Sequence, residues 1–328
     1  EENESETSRC QDRGDLGSLL SCKKTCELSK KRLAAICDSI PSHKLLYDVE
    51  CYKITYRTLY ISQKVDVSAL VIVPKGVTSS DMLAYLHGTW VPGNSILFQS
   101  YSDYDGKGVV LRELSHCALP LASQGYFVIV PDYVGFGDSY ELEHPYTYYP
   151  ELFKEIIDAL YAMRSCMESL GLECSNRLFL TGWSQGAGAG LAAHKYIQEG
   201  FADDFEIVAS SLVSGPYDFV GFVNNILSHT DRYYLAMPFY TLAAYTLNRF
   251  SPLLGRPNDQ IFRKSINDQY SALLNVMATP RQTFRANVFD DVMSGRDTTF
   301  CRAMKTNTFS EGWIPTGKVF LHHGDDDD

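Results

Sequence analysis

The chain has 328 residues, 45% of them hydrophobic, which is room for one large α/β domain with an insertion or for two smaller domains and excludes a disordered chain. Lys and Arg number 29 against 40 Asp and Glu, giving a net charge of -11. That balance excludes nucleic acid, and an anionic membrane, as partners held by bulk electrostatics, and favours a neutral or apolar small molecule.

Residues 1–45 are polar, rich in cysteine and without a sustained period, so they read as an extension on the surface of the core. The chain opens Glu1-Glu2-Asn3 with no initiator methionine, and the expectation is a processed start with the signal peptide already removed. Nine cysteines, with Cys10, Cys22, Cys26, Cys37 and Cys51 crowded near the start, favour an oxidising location, secreted or periplasmic. Cys166 and Cys174 flank a short helix-to-strand loop and could close a further bridge. A zinc site on Cys22 and Cys26 is disfavoured, because no second pair with ligand spacing follows. The odd total leaves at least one thiol free or paired beyond this chain.

Further along, Cys51 to Tyr60 and Val65 to Val73 cluster β-branched and aromatic residues and predict two antiparallel strands. Short apolar strands are expected at Met82–Leu86, Tyr126–Val130, Arg177–Thr181, Ile207–Val213 and Val319–His322, and a helix at Val109–Ser123. Phe153, Ile156, Ile157, Leu160, Met163 and Met167 recur at helical spacing. This alternation specifies a mostly parallel central sheet with helices on both faces. The expected core is 46–218 with 315–328, incomplete at its C-terminal end. Residues 219–314, rich in Tyr, Phe, Leu and Met, break the rhythm and read as an inserted helical cap shaping a pocket. No apolar run reaches the roughly 18 residues that span a bilayer, so no transmembrane segment is expected. The longest, Tyr233 to Leu247, contains Pro238 and several hydroxyl groups and reads as a buried or lid helix.

Gly182-Trp183-Ser184-Gln185-Gly186 lies between the strand 177–181 and a small-residue helix at 185–199. A serine on a sharp strand-to-helix turn takes a strained conformation, and its neighbours two places away must be small for the chain to fold back. Ser184 is therefore the expected nucleophile. The N-terminal amides of the following helix point to where negative charge would develop on an attacked carbonyl, and Gln185 would give one oxyanion N–H. Strand 82–86 ends in His87-Gly88-Thr89, a glycine turn that would bring up the second donor, Thr89, with His87 as its prop. Asp132 and His144 read as structural. Gly186, Gly188 and Gly190 invite a dinucleotide reading, but the motif is incomplete, and close helix packing explains them.

The order serine, acid, histidine puts the acid after the strand at 319–322. There His323-Gly324-Asp325-Asp326-Asp327-Asp328 offers four carboxylates, against the simpler reading of a solvated acidic tail. A general base is needed to deprotonate Ser184, and no histidine follows the acid. The expectation is that the catalytic histidine is missing from this sequence, through truncation or because the chain is an inactive member.

Tyr85-Leu86-His87-Gly88-Thr89, the run Pro131 to Ser139, His144-Pro145-Tyr146, Leu180 to Gly186 and Gly215-Pro216-Tyr217-Asp218 together resemble the secretory lipase and esterase group of the α/β-hydrolase superfamily, over about residues 50–328. The H-G-x-x-D spacing of that family selects Asp327 as the triad acid. The resemblance implies a serine esterase acting through an acyl-enzyme, with a helical cap, a small ester or lipid substrate, no metal and no organic cofactor. The alternatives are an aminopeptidase on the same scaffold, for which no amino-terminus anchor is visible, and a non-catalytic binding protein built on a hydrolase fold.

Overall fold

The computed structural model describes residues 13–37, 40–90, 100–107, 111–251 and 255–325. Eight strands, β1 (Leu19–Leu28), β2 (Val49–Tyr60), β3 (Gln63–Pro74), β4 (Ser79–Leu86), β5 (Phe127–Pro131), β6 (Glu173–Trp183), β7 (Glu206–Val213) and β8 (Lys318–His322), form one sheet in the order β1-β2-β3-β5-β4-β6-β7-β8. From β1 to β5 the neighbours run antiparallel, and from β5 through β8 they run parallel.

Alternation along the central strands sorts side chains onto two faces. Ala69, Val71 and Val73 of β3 and Phe127 and Ile129 of β5 join one cluster, with Leu152, Ile156 and Leu160 of α3 (Tyr149–Ser169) and Ala187 and Ala189 of α4 (Gln185–Gly200). Leu70, Ile72, Val128 and Val130 point the other way, onto Leu33 of α1 (Lys30–Ile36) and Leu119 of α2 (Leu119–Ser123). Every residue of β5 is buried, which is why that strand reads as an unbroken apolar run.

From Phe219 the chain builds helices α5 (Phe219–Ser228), α6 (Met237–Phe250), α7 (Gln269–Leu274), α8 (Pro280–Thr283), α9 (Ala286–Met293) and α10 (Thr298–Thr306) before β8 resumes the sheet. They bury a separate cluster that includes Leu242, Leu247, Phe284 and Phe300. Their starts are fixed locally: the Asp218, Asp268 and Asp297 side chains accept from the amides of Gly221, Ser271 and Phe300. Among the described residues, no helix is long and apolar enough to cross a membrane.

Two expectations need correction. Residues 19–28, read as part of a surface extension, add the edge strand of the sheet by pairing with β2. An edge strand with Lys23, Lys24 and Glu27 exposed has no alternating pattern to read, and its order comes from main-chain pairing and contacts such as Lys24 to Glu50 at 2.7 Å. Cys166 bonds Cys22 rather than Cys174, joining β1 to α3 across 144 residues.

Candidate active site

Ser184 has φ 54° and ψ -120°, a region side chains rarely adopt, between the end of β6 and the start of α4. The turn is held by Ser184 N–H donating to the Val213 carbonyl at 2.8 Å. It also needs its glycines: a Cβ on Gly182 would lie 2.7 Å from the carbonyl oxygens of Gly186 and Leu86, and one on Gly186 would collide with Leu86 and His87. The serine is half-buried. As the first residue of α4, Gln185 has no earlier helical carbonyl to bond, and among the described residues its amide has no acceptor.

The parallel register brings the neighbouring loops to the same edge. Leu86 pairs with Gly182, Trp183 with Val213, and Val213 with His322, so the turns after β4, β6, β7 and β8 emerge side by side. Gly88 packs on the elbow itself, since a Cβ there would come within 2.7 Å of the Trp183 ring. Gly88 N–H donates to the Glu113 carboxylate at 3.0 Å, and Tyr85 OH donates to the same oxygen at 2.7 Å. The Thr89 amide has no acceptor among the described residues, while its hydroxyl donates to Tyr146 OH at 3.0 Å. Of the Gly88 and Thr89 amides, that of Thr89 is the one without an acceptor among the described residues.

His87 is buried, with ring nitrogens 2.8 Å from the Gly88 carbonyl and 3.1 Å from that of Asp132, and burial pushes its pKa down. Asp132 follows β5, on the far side of β4 from the elbow. Its carboxylate accepts from Ser68 OH at 2.6 Å and Ser102 N–H at 3.1 Å, and burial raises its pKa to about 6. Burial pushes the His144 pKa down to about 3, so the ring is neutral at ordinary pH. Its Nδ1–H donates to the Val134 carbonyl at 2.8 Å, which leaves Nε2 to accept from the Gln185 side-chain amide. His194 contacts Ser210 Oγ, and His322 contacts Ser211 Oγ. Asp327 lies outside the described residues.

Sequence reasoning missed Glu113 and Gln269. Gln269, on α7, donates to the His144 carbonyl and accepts from its amide at 3.1 Å. It thereby fixes the loop whose histidine holds Gln185.

A mostly parallel sheet with an antiparallel flank, a serine at positive φ before a helix, and a glycine turn packed beside it define an α/β-hydrolase. The chain is similar to the rice cell wall degrading esterase LipA of Xanthomonas oryzae at 22% identity and TM-score 0.77, over 94% of this chain and 83% of that one. It is also similar to lipase A of Candida antarctica at 15% identity and TM-score 0.60, over 94% and 69% of the two chains. No curated protein matches its sequence. The secretory lipase family model matches residues 110–328, and the chain belongs to that family. It is a carboxylic ester hydrolase of the lipase and esterase group.

Proposed function

We propose that Ser184 is the nucleophile of this ester hydrolase, with the amides of Thr89 and Gln185 as its oxyanion hole and Asp327 as the triad acid. The observation that carries the reading is the positive φ of Ser184, in a turn that admits only glycine at 182 and 186. Strain of that kind persists where surrounding structure enforces it, and here it falls at the carboxyl edge of the sheet, between β6 and α4. Ser184 Oγ attacks the ester carbonyl, the two amides hold the tetrahedral oxyanion, and water then releases the acyl group. Support for Asp327 is its place just after β8, whose end lies beside that of β7. The buried rings of His87 and His144, engaged as described, are not assigned the base.

The segment 219–314 is the cap, and the substrate is an ester with a hydrophobic acyl part. An apolar cavity between α5 and α6, lined by Phe222, Val223, Tyr240, Ala244 and Leu247, supports that preference. Family membership and the Cys22–Cys166 bond support a working place outside the cytosol.

A fluorophosphonate probe tests the nucleophile. Applied to the secreted protein, it should label the peptide bearing Ser184, and Ser184→Ala should lose both label and hydrolysis of a soluble ester. Label on another residue, or hydrolysis surviving in the alanine variant, overturns the assignment.

A further inference from the structure

Two cysteines of β1 point to opposite faces of the sheet although they are four residues apart, a spacing that in a regular strand would put them on one face. The cause is a bulge. The register passes from Lys24↔Tyr52 to Cys26↔Cys51, two steps on β1 for one on β2, so side-chain parity flips at Thr25. Cys22 therefore faces α3 and bonds Cys166, whereas Cys26 lies directly opposite Cys51 on the face that holds α1 and α2. Directly opposed residues of an antiparallel pair have Cβ atoms about 4.5–5.5 Å apart, slightly wider than a disulfide needs.

We propose that Cys26 and Cys51 close a second disulfide in the secreted protein, so that β1 is stapled through both faces of the sheet. Space over the Cys26 sulfur is kept by Gly106, where a Cβ would meet Cys26 Sγ at 3.1 Å. Both residues are thiols in the structure, and hydrogen bonding between them holds the Cys26 thiol below its ordinary range and pushes the Cys51 thiol up. The two partners thus have different roles. Half-buried Cys26, as thiolate, attacks one sulfur of a small-molecule or protein disulfide oxidant, and the thiolate released takes up the Cys26 proton. Buried Cys51 then gives up its proton and attacks Cys26 Sγ, expelling the second thiolate, which takes that proton. One S–S bond breaks in the oxidant, one forms in the protein, and two electrons pass between them. Cys37, at the end of α1, lies in the same cluster but on a helix rather than opposite either partner in the sheet.

The test is a non-reducing digest of the full-length protein secreted from its host, with thiols alkylated during unfolding. The expected result is a linked peptide pair carrying Cys26 and Cys51, alongside the pair carrying Cys22 and Cys166. Alkylation of both Cys26 and Cys51, or a linked pair in which Cys37 replaces either, overturns the proposal. In Cys51→Ala, Cys26 should become alkylatable in the folded protein, and its remaining blocked would also count against the pairing.

Discussion

Glu113 is 25 residues from Gly88, yet its carboxylate decides which amide of the 87–89 turn is left over. By accepting from Gly88 N–H and Tyr85 OH together, it fixes the turn against Trp183, while the Thr89 amide has no acceptor among the described residues. Glu113→Ala would strand two donors, at a cost of about 1–3 kcal/mol for each buried group left unsatisfied. The expected outcome is a lowered melting temperature together with a fall in kcat larger than any change in KM. Glu113→Gln keeps an acceptor oxygen and should restore most of kcat. Steady-state kinetics on a soluble ester and a thermal melt of both variants check this; equal losses of kcat in the two would show that the acceptor geometry is not what matters. Ser184 could be read from sequence because its constraint is local, with glycines two places either side. Glu113 could not, since nothing in its own neighbourhood, Leu111 to Ser115, marks a carboxylate that reaches the end of another strand.

Among the elements, the central strands and α3 were legible because burial on both faces, or on one helical stripe, writes itself into composition. β1 was not, for it is an edge strand with a bulge, and its bond to Cys166 depends on a residue 144 positions away. The small residues of α4 were legible as packing devices, and the structure shows which of them the packing depends on. A Cβ on Gly186 would run into the Leu86 carbonyl, which is backbone and cannot swing away, whereas a Cβ on Gly200 meets nothing within 4 Å. Gly186→Ala should therefore destabilise by at least about 1–3 kcal/mol, the usual range for overpacking, and more if β4 must shift. Gly200→Ala, at the far end of the same helix, should be neutral or stabilising by up to about 1 kcal/mol, through the difference in helix propensity. Urea unfolding of the two variants separates these outcomes. Comparable stabilities would mean that α4 does not approach β4 as closely as described.

At the scale of the whole molecule, a chain with net charge -11 places three acidic side chains where α3 and the β5 end meet β2 and β3. Glu155 accepts from Val134 N–H at 2.7 Å and Tyr56 OH at 3.3 Å, and Asp158 accepts from Thr58 OH at 2.6 Å and pairs with Arg13. Those donors favour the charged forms, but burial outweighs them. It raises Glu155 to about 8 and Asp158, like Asp132, to about 6. The sign follows from proton counting. Between the ordinary carboxyl pKa of 4.5 and a folded pKa of about 8, the folded chain keeps the Glu155 proton that the unfolded chain has lost. Stability from this group is complete below that range and is lost as pH rises through it. If Glu155 acted alone, a shift of that size would correspond to about 5 kcal/mol over the window, an upper figure given its neighbours. Below about pH 7 the buried His87, His144 and His194, whose pKa values burial lowers, act in the opposite direction, so the melting temperature of the wild-type protein should fall as pH rises from about 7 to 8. Glu155→Gln, which stays neutral and keeps an acceptor for Val134 N–H, should flatten that fall. Melting curves decide it: a wild-type protein whose stability rises between about pH 7 and 8, or a Gln variant with an unchanged slope there, would place the ionised rather than the protonated form of Glu155 beneath the sheet-facing side of α3.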